Sequence, residues 1–453
     1  MTGRDILLVN PWIHDFAAYD MWARPLGLLC LGSVLRQAGF EPWLIDCTDR
    51  HHPSIPTSER NDRQFGCGKY PSVELEKPAA IDWVSRPFRR YGITPEAFSE
   101  HLERLPEPAA ILVTSRMTYW YPGAQEAIAL LKQRWPKTPL ALGGVWPTIY
   151  PQHAAEHSGA DAVFGGEGEN QLMEFLETIA TVKAPLPRFD LQQLDTLPEP
   201  AFELLSSTKV LPTLTSRGCP RRCTYCASQR LFLNYRRRQP QAAARSILQA
   251  AERFDSQDFA FYDDALLIDA DDFAKPMLRE LAATSSKLRF HAPNGLHSEL
   301  IDDELAQLLH RSGFQSLRLS LETAREERRR SLQREGDTGG FRQAVTNLRN
   351  AGFSRKQLGV YLMCGLPGQD EEEVREGVEL IIQAGAWPKV VEFSPLPGTK
   401  EYDRACAECR LPLENEPLLC NNSVFHLIST SLPAGAVQRL RQDLRGRLAD
   451  LDT

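Results

Sequence analysis

The chain has 453 residues, of which 42% are hydrophobic and 25% charged, the balance of an ordinary globular protein with two or three domains. Its formal net charge of -7 argues against a broad polyanion-binding surface, so nucleic acid is not an expected partner. We expect a cytoplasmic protein without a membrane span or signal peptide, because no apolar stretch approaches the roughly 18 residues that cross a bilayer.

The first 180 residues alternate short apolar runs with helical patterns, which predicts a Rossmann-like parallel α/β sheet. A polar insertion, residues 46–108, interrupts this alternation. In such a sheet, ligands bind at the carboxyl ends of the strands. The predicted strands are 6–9, 42–45, 110–114, 140–143 and 162–164, and the predicted helices are 26–37 and 124–134.

Loops rich in glycine and aromatic residues follow these predicted strands. They are Asn10–Trp12, Ser115–Gly123, Gly143–Pro147 and Gly165–Glu169. Glycine lets the backbone approach a large flat ligand, and aromatic rings can pack on its face. The order of the loops, with Pro25-Leu26-Gly27 before the first helix, resembles a cobalamin-binding domain.

This sequence departs from the histidine-ligating type of cobalamin domain. That type carries Asp-x-His-x-x-Gly after the first strand, where this chain has Asn10 to Asp15 with a single His14. The segment Asp49 to Ser54 mimics the motif, but it follows the second strand, and we interpret it as a chance match. The domain therefore either binds cobalamin without a protein histidine or keeps the fold with an empty or repurposed cleft. The aromatic run Tyr119 to Tyr121 would face a ligand or simply pack.

The second half begins after a proline-containing connector, 183–209, and returns to βα alternation from Val210. Six βα units predict an open, partial (β/α)6 TIM-like barrel. The predicted domains are 1–182, with its insertion 46–108, the linker 183–209, the barrel core 210–425 and a C-terminal segment 426–453 with an amphipathic helix over 434–451. The basic clusters Arg236 to Arg238 and Arg328 to Arg330 are expected on solvated faces.

Three cysteines follow the first strand of this half with C-x3-C-x2-C spacing: Cys219, Cys223 and Cys226. Three thiolates on one short loop can hold three irons of a [4Fe-4S] cluster and leave the fourth iron open for a substrate. The alternatives are a zinc knuckle without its fourth ligand and three unrelated thiols.

This spacing, the Gly-Cys-Pro entry and Tyr225 resemble the radical S-adenosylmethionine (SAM) enzymes. The resemblance implies that SAM binds the open iron and is cleaved reductively to a 5'-deoxyadenosyl radical, with Tyr225 beside the adenine. It also implies an electron donor such as flavodoxin or ferredoxin. The cobalamin-type domain precedes many barrels of this family.

Two strand ends carry further candidate residues for SAM. Asp263 and Asp264 stand where the family contacts the SAM amino group, and a carboxylate suits an ammonium, although paired aspartates also cap helices. Arg318, Ser320 and Glu322 share one face of their strand, which is costly unless the row meets a polar ligand. The resemblance assigns Ser320 and Glu322, and by extension Arg318, to the SAM ribose or carboxylate.

The remaining candidates lie at the rim and near the carboxyl end. Gly365 and Gly368 flank Leu366-Pro367 in a turn that resembles the family's adenine-side turn. Asn294 and His297 would face the substrate or form turns. A second cluster on Cys406, Cys409 and Cys420 competes with plain packing in a predicted helix 402–411.

Together, the resemblances imply an enzyme that starts radical chemistry on a small-molecule or peptide substrate, with C-methylation if cobalamin binds. A second reading is rearrangement, cyclisation or oxidation with the first domain as scaffold or lid. A third is a non-catalytic iron-sulfur carrier, which would not need the aspartates, the polar row or the glycine turn.

Overall fold

The computed structural model describes residues 4–179, 185–284, 287–433 and 435–452. The chain forms two compact units, of which unit 1 comprises 1–212 with 230–232 and unit 2 comprises 213–229 with 233–453. The predicted boundary between 182 and 183 lies outside the described residues, and the predicted domain limits remain a proposal. Within the described ranges, no helix has the length and apolar character needed to cross a bilayer.

Unit 1 is built on a parallel sheet whose strands run in the order β10, β9, β8, β1, β3. The strands of this unit are β1 Asp5–Asn10, β2 Ile13–Asp15, β3 Glu41–Asp46, β4 Asn61–Asp62, β5 Gly68–Lys69, β6 Ser72–Leu75, β7 Phe88–Tyr91, β8 Ala110–Val113, β9 Leu140–Leu142 and β10 Ala162–Val163. Its helices are α1 Leu26–Gln37, α2 Pro95–Arg104, α3 Tyr121–Arg134, α4 Val145–Ile149, α5 Pro151–His157 and α6 Glu169–Ile179. The strand order changes direction between β1 and β8, the switch point at which such sheets bind ligands.

The central strand β1 explains why the sequence folds this way. Ile6, Leu7, Leu8 and Val9 are all fully buried, as expected for a parallel strand covered on both faces. The predicted α/β class is thereby confirmed for unit 1. The strand limits differ from the predicted ones by only one or two residues.

The insertion 46–108 has a structure that the sequence patterns did not predict. It contributes β6 and β7 to an antiparallel sheet in the order β2, β7, β6, and a separate hairpin of β4 and β5. It ends in α2, where the side chain of Thr94 accepts a hydrogen bond of 3.2 Å from the Ala97 amide and caps the helix. The strands are too short to show a clear two-residue period.

The second half contains a six-stranded sheet whose strands run in sequence order, β11, β14, β15, β16, β17, β18. The strands of this half are β11 Val210–Thr213, β12 Ser216–Arg217, β13 Arg236–Arg237, β14 Asp258–Phe261, β15 Arg289–His297, β16 Phe314–Glu322, β17 Leu358–Cys364 and β18 Trp387–Glu392. Its helices are α7 Ser228–Leu231, α8 Pro240–Phe254, α9 Ala274–Ala283, α10 Asp303–Arg311, α11 Glu326–Ser331, α12 Thr338–Asn350, α13 Glu371–Ala384, α14 Lys400–Glu408, α15 Asn422–Ile428 and α16 Ala436–Asp452. Strands β14 to β18 are parallel, which confirms the predicted partial barrel.

The two faces of β16 differ as its alternation predicts. Leu317, Leu319 and Leu321 are fully buried on the outer face, whereas Arg318 and Ser320 occupy the inner face of the open barrel. The last helix begins at Ala436; its predicted start at position 434 lies outside the described residues.

The prediction that both basic clusters lie on solvated faces is wrong. Arg329 is 1% exposed, and its Nη1 donates a hydrogen bond of 2.6 Å to the Leu321 carbonyl. Arg328 donates to the carbonyls of Pro367 and Gly368, and Arg236 is also buried. A guanidinium carries five N–H donors. It can therefore be buried where several carbonyl oxygens accept hydrogen bonds from it.

Candidate active site

The cysteine loop, Gly218 to Cys226, leaves the first strand of the barrel through a left-handed Gly218 with φ of 77°. The Cys226 amide donates to the Cys223 carbonyl over 3.1 Å, and the Ser228 amide donates to the Cys226 Sγ over 3.4 Å. Solvent reaches part of each cysteine, yet desolvation is the largest cause that raises the pKa of all three thiols. The thiols would therefore lose their protons on binding a metal.

The middle of the cysteine loop is anchored at Thr224. Its amide donates to the Leu332 carbonyl over 3.0 Å, and its hydroxyl donates to Glu401 Oε1 over 2.8 Å. The Glu401 amide donates back to the Thr224 carbonyl over 3.2 Å. Because Glu401 is fully buried at the start of α14, the loop is held in one place relative to the barrel.

The structure separates the two predicted aspartates. Asp263 is buried and accepts hydrogen bonds from the Thr215 amide, the Thr215 hydroxyl and the Ser216 hydroxyl over 3.0, 2.7 and 2.6 Å. Burial raises its pKa to about 6. The Asp264 carboxylate instead accepts from the Ser228 hydroxyl over 2.5 Å, and its charge raises the pKa of Cys219 and Cys226. Of the pair, Asp264 faces the cysteine loop.

Glu322 connects the barrel to the cysteine loop. Its side chain bonds those of Ser320 and Tyr225; burial raises its pKa, and the charge of Arg334 opposes that rise. The backbone of Glu322 is left-handed, with φ of 68°, where the pairing of β16 with β17 shifts register. A strained conformation in a non-glycine residue is typical of functional sites.

Ser320 lies on the inner face directly below Glu322. A Cβ built on Gly295 would lie 2.0 Å from the Ser320 Oγ, so β15 needs glycine at this point. Across the sheet, Ser320 pairs with Tyr361, and Tyr361 pairs with Lys389. Arg318 occupies the next inner position of β16, further from the cysteine loop.

The turn after β17 has the predicted glycine geometry. Gly365 and Gly368 are left-handed, with φ of 87° and 69°, and the Gly365 amide donates to Gln369 Oε1 over 2.8 Å. The Gly368 amide donates to the Ser431 hydroxyl, and its carbonyl accepts from Arg328. The backbone of Gly368 is therefore occupied by protein partners, and an adenine contact at either glycine remains a prediction.

The rim residues are also held by neighbours. Asn294 Nδ2 donates to the Tyr262 carbonyl over 2.8 Å. His297 is buried, and burial, together with the charges of Arg334 and Arg221, lowers its pKa to about 3. A contact of either residue with a substrate remains a prediction.

The positions of the His, Cys, Asp and Glu side chains are relevant to two predictions, a zinc ion on the cysteine loop and a second cluster near the carboxyl end. Across the described part of the chain, no three His, Cys, Asp or Glu side chains converge as ligands of one metal ion. A single zinc requires such convergence, whereas each thiolate of a [4Fe-4S] cluster binds a different iron. The choice of a cluster over zinc for the cysteine loop remains a prediction. Cys409 lies just beyond α14, and the Cys406 thiol bonds the Tyr402 side chain.

Sequence reasoning missed several residues at this site. Arg334 is 5% exposed and donates to the Ser320 carbonyl over 3.3 Å, close to Glu322 and Cys223. Glu401 was missed as well. Neither lies in a recognisable motif, because each reaches the site from a segment remote in sequence from the residues that it contacts.

In unit 1, polar residues meet at the carboxyl ends of neighbouring strands. Asn10, at the end of β1, donates to Asp46 Oδ1 over 2.6 Å at the end of β3. Beyond β9 and β10, a Cβ built on Gly143 or Gly165 would meet no atom closer than 3.9 Å. These loops therefore leave open space beside the backbone, which fits the approach of a large flat group such as a corrin.

The two histidine-containing segments of unit 1 make contacts with neighbouring protein groups. His14 is buried in β2, with Nε2 2.9 Å from Glu126 and its ring edge-on to Phe88. In the segment 49–54, Arg50 pairs with Asp20 over 2.8 Å, and the segment lines a cleft of about 570 Å³ at the end of β3. The segment thus lies beside β3, and Arg116 of the loop after β8 donates to Thr48, just ahead of the segment, over 3.4 Å.

The aromatic run after β8 packs mainly within unit 1. Tyr119 is buried, and the Tyr121 ring lies 5.2 Å from the Trp146 ring. Trp120 Nε1 donates to Asp15 Oδ2 over 2.6 Å. These contacts favour the packing interpretation for the two tyrosines.

Family comparisons match both halves of the chain. Residues 213–381 match the model of the radical SAM superfamily, and residues 87–176 match that of the B12 binding domain. Cytidylyl-2-hydroxyethylphosphonate methyltransferase from Streptomyces wedmorensis is 21% identical over 445 residues, which cover 84% of this chain and 77% of that protein. Anaerobic magnesium-protoporphyrin IX monomethyl ester cyclase from Synechocystis is 23% identical over 356 residues, covering 72% of this chain and 62% of the cyclase.

Solved structures show the same fold. The radical SAM methyltransferase TsrM from Kitasatospora setae, with cobalamin and a [4Fe-4S] cluster bound, has a TM-score of 0.67 at 18% identity, covering 97% of this chain and 90% of TsrM. The cobalamin-dependent radical SAM enzyme OxsB, with aqua-cobalamin and SAM bound, has a TM-score of 0.55 at 13% identity, covering 95% and 57%.

Proposed function

The chain belongs to the radical SAM superfamily and carries an amino-terminal B12-binding domain, and from this premise we propose that it is a cobalamin-dependent C-methyltransferase. The observation that carries the proposal is the presence of both family matches in one chain. The similarity to the Streptomyces methyltransferase over most of both proteins supports methylation as the reaction.

The proposed cluster ligands are Cys219, Cys223 and Cys226. When bound, the cluster and SAM would supply a 5'-deoxyadenosyl radical, and cobalamin would supply a methyl group. The anchor at Thr224 holds the ligands in place, so the loop needs little reorganisation to receive the cluster. The raised pKa of each thiol is consistent with proton release only on metal binding.

The residues proposed for SAM lie along one side of the cysteine loop. Asp264 would accept hydrogen bonds from the ammonium, because its carboxylate is held by Ser228 beside the thiols. Ser320 and Glu322 would bind the ribose or carboxylate, and the Tyr225 ring would lie beside the adenine. Asp263 would act indirectly, by holding the strand that leads into the cysteine loop.

The proposed cobalamin cleft is at the carboxyl ends of β1, β8, β9 and β10. Gly143 and Gly165 would let the backbone approach the corrin. His14 is paired with Glu126, so we propose that this domain provides no histidine ligand to cobalt.

Cyclisation is the second candidate reaction, and the similarity to the Synechocystis cyclase favours it. It would use the same cluster and the same SAM residues. The two reactions differ in their products, because only methyl transfer adds the mass of a methyl group to the substrate.

We further propose that the enzyme works in the cytoplasm with a flavodoxin or ferredoxin as electron donor. None of the ten cysteines, all of which lie in described residues, forms a disulfide, as expected in a reducing compartment.

The test is SAM cleavage by the anaerobically purified, iron-reconstituted chain. With dithionite and SAM, the wild-type protein should form 5'-deoxyadenosine, and Cys223→Ala should abolish it. Cys30→Ala, in α1 of unit 1, is the matched control and should retain both the activity and the iron content. Product formation by Cys223→Ala would refute the cluster assignment.

Cobalamin binding needs a separate measurement. The reconstituted protein is offered hydroxocobalamin and desalted, and its optical spectrum is recorded. Corrin bands near one equivalent per chain support the methyltransferase. A spectrum with only the iron-sulfur shoulder would overturn the cobalamin part of the proposal and leave a radical SAM enzyme.

A further inference from the structure

Two positively charged side chains face the interior of the open barrel. Arg318 lies on the inner face of β16, and Lys389 is on the same face of β18, since it pairs with Tyr361, which in turn pairs with Ser320. Partial burial is the main cause that lowers the pKa of Lys389, and the nearby charge of Arg318 lowers it further. Part of the Lys389 side chain is nonetheless exposed to solvent.

Among the described residues, neither cation has a counter-charge. Arg318 Nη1 donates to the Leu317 carbonyl over 3.1 Å, and its side chain also bonds Tyr361. Within the described residues, Lys389 makes no hydrogen bond, and no carboxylate forms an ion pair with Arg318 or Lys389. Two neighbouring positive charges repel each other, which is unfavourable unless an anion lies between them.

Glycines on the two neighbouring strands make room for this arrangement. Arg318 pairs with Gly295 on β15 and with Gly359 on β17. A Cβ built on Gly359 would lie 2.9 Å from both Cδ and Nη1 of Arg318. Glycine weakens a strand interior, and its use here lets the arginine side chain lie across β17 toward Lys389.

Arg318 lies below the residues proposed for SAM, and Lys389 is level with Ser320 through Tyr361. Glu322 bonds Tyr225 of the cysteine loop, Ser320 is the next inner residue, and Arg318 is two residues beyond Ser320, a step of about 7 Å along the strand. The Tyr361 hydroxyl donates to the Pro293 carbonyl over 2.8 Å, which fixes its ring on this inner face beside Arg318.

We propose that Arg318 and Lys389 bind an anionic group of the substrate, a carboxylate or a phosphate, inside the barrel. An arginine fork binds either group with two parallel hydrogen bonds, and a lysine adds a mobile point charge. This inference rests on the proposed function and specifies the class of substrate. It assigns Arg318 to the substrate, whereas the family resemblance assigns it to SAM.

The first experiment measures anion binding without turnover. Inorganic phosphate is titrated into the full chain, and its ³¹P resonance is followed for wild type, Arg318→Gln, Lys389→Gln and Lys287→Gln. Lys287 is an exposed lysine ahead of β15, and its substitution removes the same charge. We expect the two barrel variants to weaken phosphate binding at least tenfold and Lys287→Gln to leave it unchanged. Equal binding by all four proteins would mean an adventitious ion only and would overturn the inference.

The second experiment distinguishes the substrate from SAM as the source of the anion. SAM binding to the reconstituted protein is measured by equilibrium dialysis for the same variants. We expect changes of no more than about twofold. A tenfold loss of SAM binding in Lys389→Gln would identify the anion as the SAM carboxylate and overturn the substrate assignment.

Failure of the proposed function gives a different result. If wild type forms no 5'-deoxyadenosine, the function is wrong, whereas phosphate binding that depends on Lys389 would still establish the anion site. Should Arg318→Gln misfold, Lys389→Gln decides the test, because Lys389 is solvent-exposed and its substitution leaves no buried group unpaired.

Discussion

The hydroxyl of Thr224 donates a hydrogen bond of 2.8 Å to the carboxylate of Glu401, a residue 177 positions later in the chain. Thr224 lies between the second and third cysteines of the cysteine loop, and Glu401 is fully buried in α14. The contact thus joins the proposed cluster ligands to the end of the barrel. Preorganised ligands reduce the conformational entropy that is lost when a metal site is occupied.

Removing this anchor should lower both the stability of the protein and its retention of the cluster. We expect Glu401→Ala to lower the free energy of unfolding by about 1–3 kcal/mol, because the buried Thr224 hydroxyl loses its acceptor. Iron retained per chain after gel filtration should fall with it. Asp403→Asn, an exposed change on the same helix, is the control. Full iron retention by Glu401→Ala would contradict the anchoring role.

Asp263 and Asp264 should respond differently to the same substitution. Asp264→Asn removes the charge proposed to meet the SAM ammonium, and we expect SAM binding about tenfold weaker, or about 1.4 kcal/mol, with little change in melting temperature. Asp263→Asn disturbs a carboxylate that accepts from Thr215 and Ser216, and should mainly reduce stability. Equilibrium dialysis with SAM and thermal melts separate the two, and a reversal of this pattern would contradict the assignment.

Local patterns in the sequence predicted the main elements well. Buried parallel strands are continuous apolar runs, so β1 and β8 were predicted to within two residues, and the helix Leu26–Gln37 was predicted with its observed limits. The cysteine spacing is equally local. Its assignment as a cluster loop remains a prediction.

Long-range contacts could not be predicted in the same way. Arg334 reaches Ser320 from a turn beyond α11, and Glu401 reaches Thr224 across most of the barrel. No spacing rule connects such residues, because the fold alone brings them together. The different partners of Asp263 and Asp264 could not be predicted either. Strand β14 ends at Phe261, so the alternation of side chains along the strand does not determine where these two aspartates point.

The cobalamin cleft can be tested at two neighbouring glycine loops. At Gly165, a Cβ would meet no atom closer than 3.9 Å, so Gly165→Val should fold normally yet occupy space proposed for the corrin. We expect about tenfold less corrinoid to remain after desalting, with an unchanged melting temperature. At Gly144, φ is 99° and a Cβ would lie 2.3 Å from the Ser115 carbonyl oxygen. Gly144→Ala should therefore lower the melting temperature of the protein, in contrast to Gly165→Val. Full corrinoid retention by Gly165→Val would place the ligand elsewhere.

His297 should make the protein sensitive to acid. Burial lowers its pKa to about 3, whereas an unfolded histidine titrates near 6.5. A depressed histidine pKa contributes stability that is present above pH 6.5 and is lost as the pH falls from 6.5 toward 3, because the unfolded chain then binds more protons. Between pH 6.5 and 5 this loss is about 2 kcal/mol.

The measurement compares urea unfolding of wild type and His297→Gln at pH 7.5 and pH 5. Glutamine does not titrate, so the variant should lose about 2 kcal/mol less stability than wild type over this range, whatever its stability at pH 7.5. His310→Gln, at an exposed position of α10, controls for the loss of a histidine elsewhere. Parallel losses in wild type and His297→Gln would mean that His297 is protonated in the folded protein, against its burial beside Arg334 and Arg221.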